Sequence, residues 1–83
     1  MRKYRQLVPL GWVLNNLIHN WHTVKIFKKI FDPMTGIYDC TKILCELWDD
    51  YYKEHKEEIN NLVVDFISVR QKDIHIIVKW DGA

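Results

Sequence analysis

Eighty-three residues with a formal net charge of +1 bound the chain to one small domain, in which only about 60% of the unfolded surface can be hidden and the core must therefore be dense. A hydrophobic fraction of 48% with four Trp, four Tyr and three Phe is enough to fold alone, since each buried ring removes roughly 150–250 Å² from water. It also leaves rings to spare for an interface. The longest apolar run falls far short of the roughly 18 residues that span a membrane, and no signal-peptide pattern opens the chain, so the expected setting is a reducing cytoplasm with no membrane partner.

The charge is unevenly placed. Residues 1–31 hold six basic residues and no acid, a net +6, whereas residues 32–83 hold six bases against all eleven acids, a net −5. Such a dipole either binds an anionic partner at one end or neutralises itself by packing one half on the other.

Taken in order, residues 1–8 (MRKYRQLV) form a basic arm or a short edge strand, and Pro9 offers a helix start because a proline at the first helical position loses no needed hydrogen bond. From Leu10 to His22 the apolar stripe Leu10, Val13, Leu14, Leu17, Ile18 and Trp21 predicts an amphipathic helix. The phase then slips. The spacing favours a break near His22 and Thr23 and a separate short helix over TVKIFKKIF, with a strand as the rival because Val24, Ile26, Phe27 and Phe31 also suit a sheet. Asp32-Pro33-Met34-Thr35-Gly36 is a turn, set by the fixed φ of Pro33 and the permissive Gly36.

Residues 39–59 carry the most regular period. Cys40, Ile43, Leu44, Leu47, Trp48, Tyr51, Tyr52, His55 and Ile59 fall at helical spacing, which predicts one long central helix capped by Asp39 or Thr41 and ended by Asn60-Asn61. Residues 62–69 and 74–80 are rich in β-branched and aromatic side chains and read as a β-hairpin joined through Arg70-Gln71-Lys72-Asp73. The expected fold is a single α+β domain over residues 1–83: two or three N-terminal helices packed on a C-terminal antiparallel hairpin, with room for a further strand from the N-terminus or from a partner.

Catalytic signatures are missing from this reading. Gly11, Gly36 and Gly82 are isolated and build no phosphate loop, and the one serine, Ser68, falls inside a strand rather than on a nucleophile elbow. On a helix, Cys40 and His55 would lie about four turns apart and Cys40 and Cys45 would point in different directions, so neither a thiol–imidazole pair nor a disulfide is expected. His19 and His22 with Cys40 and Cys45 are the raw material for zinc, but at poor spacing. No enzyme activity, cofactor, metal or small-molecule substrate is expected.

Binding remains. Three helices cover one face of a hairpin, which leaves Val63, Ile67, Val69 and Ile77 without cover, beside the acidic helix face of Glu46, Asp49, Asp50, Glu54 and Glu57. This surplus favours a small non-enzymatic protein-binding module (an adaptor, regulator or inhibitor) that forms a homodimer. The alternative is nucleic-acid binding in which Arg2, Lys3, Arg5, Lys25, Lys28 and Lys29 grip phosphates. The order PLGWVLNNLI, LCELWDDYYKEH, IHIIVKW is also similar to the small KH-like domains of the DciA type, which load replicative helicases, although the chain lacks their Val-Gly after the helix Trp and their Asp-Gly hairpin turn. That resemblance adds weight to the nucleic-acid alternative.

Overall fold

A computed structural model of the chain describes residues 8–18, 23–47 and 49–80. The elements are α1 (Leu10–Leu17), β1 (Thr23–Asp32), β2 (Ile37–Glu46), α2 (Asp50–Glu54), α3 (Lys56–Asn60), β3 (Val64–Arg70) and β4 (Asp73–Lys79). The α+β class expected from the sequence is present, but four strands rather than two form the sheet, in the order β2-β1-β4-β3.

The predicted hairpin is β3–β4. Its register closes on Arg70 opposite Asp73, so the turn is only Gln71-Lys72, with Gln71 at the positive φ of 55° that such a tight reversal demands. The strands that complete the sheet come from neither the N-terminus nor a partner. They come from residues 23–46, where the spacing had favoured helix. β1 lies parallel to β4 in the centre of the sheet and pairs antiparallel with β2 around the Asp32–Gly36 turn, where Gly36 holds a φ of 76° and the Gly36 amide donates to the Asp32 carbonyl at 2.8 Å. For β1 the rival reading was the right one: a β-branched and aromatic segment takes extended backbone once it has neighbours on both sides.

The long helix over residues 39–59 does not form. Its first half is β2, and only residues 50–60 are helical, interrupted at His55 between α2 and α3. The helix cap is Asp49, whose carboxylate accepts from the Tyr52 and Glu46 amides at 2.9 Å each. Asp39 instead accepts from the Thr41 hydroxyl at 2.6 Å and the Thr41 amide at 2.8 Å, which holds its carboxyl below the ordinary value. Of the three segments behind the similarity to DciA-type domains, the middle one, LCELWDDYYKEH, is therefore split between the end of β2 and α2 and is not one continuous helix. Helix α1 also stops earlier than its stripe suggested, at Leu17, with Ile18 already extended. Two asparagines and a β-branched residue are weak helix formers there.

All three helices lie on one side of the sheet. Val24 and Ile26 from β1, Cys45 from β2 and Ile74, Ile76 and Val78 from β4 meet Leu10 and Val13 of α1, Tyr52 of α2 and Ile59 of α3 in a single buried cluster. The Tyr52 hydroxyl donates to Asn60 at 2.8 Å, which satisfies a polar group at the edge of this core. Val8 and Pro9 run beside Val63 and Val64, with the Val64 amide donating to the Val8 carbonyl at 2.8 Å.

Candidate functional site

The second side of the sheet has no helix on it among the described residues, and the registers fix what it presents. Successive strand residues point to opposite faces. With Val24 and Ile26 in the core, Lys25, Phe27 and Lys29 point outward; with Ile74, Ile76 and Val78 in the core, His75, Ile77 and Lys79 point outward. Phe27 pairs with Ile43 on one side and Ile77 on the other, and Ile77 pairs with Phe66. The result is an unbroken apolar row across all four strands, Ile43–Phe27–Ile77–Phe66. Its two ends are well exposed, Ile43 at 46% and Phe66 at 57%, and the two central side chains are half-buried by their neighbours.

Polar rows flank it. On one side stand Glu46, Lys25, His75 and Ser68, paired in that order, and the His75 ring packs 5.2 Å from Phe27. On the other side Lys29 pairs in register with Lys79, and the Lys29 ammonium reaches Asp65 at 3.2 Å while lying 4.6 Å from the Tyr38 ring. Tyr38 in turn meets Phe31 edge-on at 5.3 Å. The face is therefore apolar in the middle with both signs of charge around it. Lys25 stands opposite Glu46 in the register and Lys29 is bonded to Asp65, so these two lysines have acids for neighbours.

A second feature is a cleft of about 280 Å³ at one edge of the domain, lined by Tyr51, His55, Glu58, Ile59, Leu62, Lys79 and Trp80. The Tyr51 and His55 rings stack at 4.3 Å, and Lys28 sits 5.2 Å over Trp80. The lining holds no serine or cysteine, so it offers no hydroxymethyl or thiol nucleophile.

The candidate interface residues divide between the faces. Ile77 lies in the middle of the outward row. Ile67 and Val69 pair with Ile76 and Ile74 and so belong to the helix side, Ile67 packed against the core and Val69 exposed beyond it. A bulge at Asp65 causes this, because two residues of β3 step past one of β4 between Val64 and Phe66 and reverse the phase. Val63 is half-buried at the bridge to Pro9. Glu46 stands on the outward face. Asp49 is engaged as a helix cap, and Asp50, Glu54 and Glu57 are exposed on α2 and α3, on the far side of the sheet.

The nucleic-acid candidates divide too. Lys25 and Lys29 are outward on β1, Lys28 is on the helix side with its ammonium over the Trp80 ring, and Arg2, Lys3 and Arg5 lie outside the described residues, as do His19 and His22. Cys40 and Cys45 are free thiols on β2; Cys45 is buried in the core, and burial, with the Asp49 carboxylate nearby, pushes its thiol up to about 11. No group of three or more His, Cys, Asp or Glu among the described residues is placed to hold a metal, and no described helix is long and apolar enough to cross a membrane. Phe27, Ile43, Phe66, Ser68, His75 and Lys79 stand on this outward face without being candidate site residues in the sequence. The two-residue alternation of Lys25, Phe27, Lys29 and Phe31 carries the signal for the first of them, once β1 is read as a strand. Comparison with protein-family models, curated proteins and solved structures finds no match for the chain.

Proposed function

We propose that this chain is a non-enzymatic protein-binding module of adaptor, regulator or inhibitor type, and that it binds through the face of its sheet that carries no helix among the described residues. The observation that supports this is the row Ile43–Phe27–Ile77–Phe66, apolar across every strand and rimmed by charges of both signs. An apolar centre with a polar rim is the anatomy of a protein interface, and a contiguous apolar patch on a small domain marks a contact surface. The acids of α2 and α3 are on the other side of the domain and form no part of this surface. The proposal places the protein in the cytoplasm and gives it no cofactor, metal or small-molecule substrate.

Affinity capture from the native host, comparing the unmodified chain with Ile77→Lys and with Glu57→Lys, tests it. The expected result is a protein partner lost with Ile77→Lys and kept with Glu57→Lys. A partner indifferent to Ile77→Lys overturns the reading.

One arrangement favours nucleic acid as a second reading: Lys25, Lys29 and Lys79 flank the Phe27 and His75 rings on the two central strands, as lysines flank stacking rings on single-strand platforms. It ranks second because Glu46 and Asp65 stand beside two of the three lysines. Titration with labelled single-stranded DNA and RNA at two salt concentrations decides it, since phosphate contacts weaken steeply as salt rises.

A further inference from the structure

From the order of side chains in the apolar row we infer that its occupant is a second copy of this chain, packed face to face about a twofold axis parallel to the strands. This rests on the protein-binding reading above and names the partner.

The row alternates, Ile43, Phe27, Ile77, Phe66, from one edge of the sheet to the other. An isologous contact requires a patch that is complementary to itself. A twofold axis running along the strands between β1 and β4 lays β1 over β4 of the second copy and β2 over its β3. The row then meets itself reversed. Ile43 faces Phe66 of the second copy and Phe27 faces its Ile77, so every phenylalanine meets an isoleucine. Two sheets packed face to face stand about 10 Å apart, a gap to be filled evenly by the side chains of both. Ile against Phe fills it at all four positions. A twofold along the row would instead set Phe on Phe and Ile on Ile, crowding two positions and underfilling two.

Area and charge set the strength. Four strands about 4.8 Å apart and seven residues of about 3.3 Å each give a face of roughly 19 by 23 Å, about 440 Å² and so only about half of the roughly 800 Å² per partner that stable complexes bury. The dimer is therefore reversible rather than obligate. Lys29 comes over Lys79 of the second copy, and Asp65, 3.2 Å from Lys29, offsets that repulsion. Added salt consequently leaves the dimer as strong or strengthens it, the opposite of a contact with phosphates. The free edges suit pairing less well: β2 carries two register irregularities that bend its edge away, and Val8 and Pro9 lie against the start of β3.

The test is sedimentation equilibrium of the full chain from about 1 µM to about 500 µM, the range in which a contact of this size associates, at low and high salt. A reversible monomer–dimer equilibrium not weakened by salt is expected. Ile43→Lys and Phe66→Glu, at the two exposed ends of the row, each weaken it by about tenfold or more with an unchanged circular dichroism spectrum. Mixing the two variants restores most of the affinity, because the heterodimer sets the new lysine against the new glutamate and keeps three of the four native Ile–Phe contacts, where each variant's own dimer keeps two. A 10.1 kDa monomer at every concentration overturns the second copy and leaves the protein-binding reading to the Ile77→Lys capture. A dimer that neither substitution weakens overturns this face for both. A mixture no tighter than its components overturns the reversed register and with it the inference.

Discussion

The two faces of the sheet are made by the same four strands, and often by adjacent residues, yet they meet different fates. On β4, Ile76 is fully buried under the helices while its neighbour Ile77 points into the outward row. The helix side holds apolar groups whose polar company is satisfied locally, such as Tyr52 with Asn60. The outward side holds nearly as many rings and branched chains, but with lysines and acids interleaved and nothing described above them. Hydrophobicity alone does not separate the two. What separates them is whether a helix of the same chain reaches over, and α1, α2 and α3 all reach over the same side.

That contrast predicts a graded set of responses. The largest effect belongs to Ile76→Ala, which removes a side chain with no exposure and should cost about 2–5 kcal/mol in urea unfolding, whereas Ile77→Ala next to it should cost about 1 kcal/mol or less in the monomer. Equal losses would mean the outward face is filled by the chain's own residues. The next effect is one of pH. In the unfolded chain the Cys45 thiol ionises near its ordinary value of 9.0, whereas in the folded chain it holds its proton to about 11. The unfolded state therefore loses its proton first, so this thiol leaves stability unchanged below about pH 9 and lowers it as pH rises from 9 to 11. Tyr52, also shifted upward by burial, acts in the same direction. Urea midpoints across that window check it, and Cys45→Ala should flatten the decline. At neutral pH, thiol reagents should modify half-buried Cys40 well before Cys45.

Smaller still is Gln71→Gly in the β3–β4 turn. An L-residue at a φ of 55° is strained, and glycine relieves that strain at some entropic cost, for a net stabilisation of about 0.5 kcal/mol in thermal unfolding. The smallest is Asp65→Asn, which breaks the partly exposed pair with Lys29 and should change monomer stability by about 0.5 kcal/mol or less.

How legible each part was in the sequence follows from how regularly its strands run. β4 alternates without interruption, and its core face of Ile74, Ile76 and Val78 was readable as it stands. β3 was recognisable as a strand, but the bulge at Asp65 reverses its phase halfway, which is why Ile67 and Val69 were assigned to the face of Ile77. β2 has two such irregularities, one of them placing Leu44 as an extra residue between Ile43 and Cys45. Apolar residues at 40, 43, 44, 45 and 47 then imitate a helical period, and the true helix that follows at Asp50 prolongs the illusion. β1 was ambiguous because Lys28 lies on its core side beside Trp80, where alternation alone asks for an apolar group. The outward row depends on three strand pairings at once, and pairing partners far apart in the chain leave no local trace in composition or spacing.

The most direct test of the account is methyl NMR of the isoleucines during dilution. Ile43 and Ile77, on the outward row, should shift progressively with concentration, while Ile26, Ile74 and Ile76, on the helix side, should hold still. Shifts confined to the helix-side methyls, or no shift at any methyl up to the highest concentration reached, would contradict the claim that the uncovered face is a contact surface for a second copy.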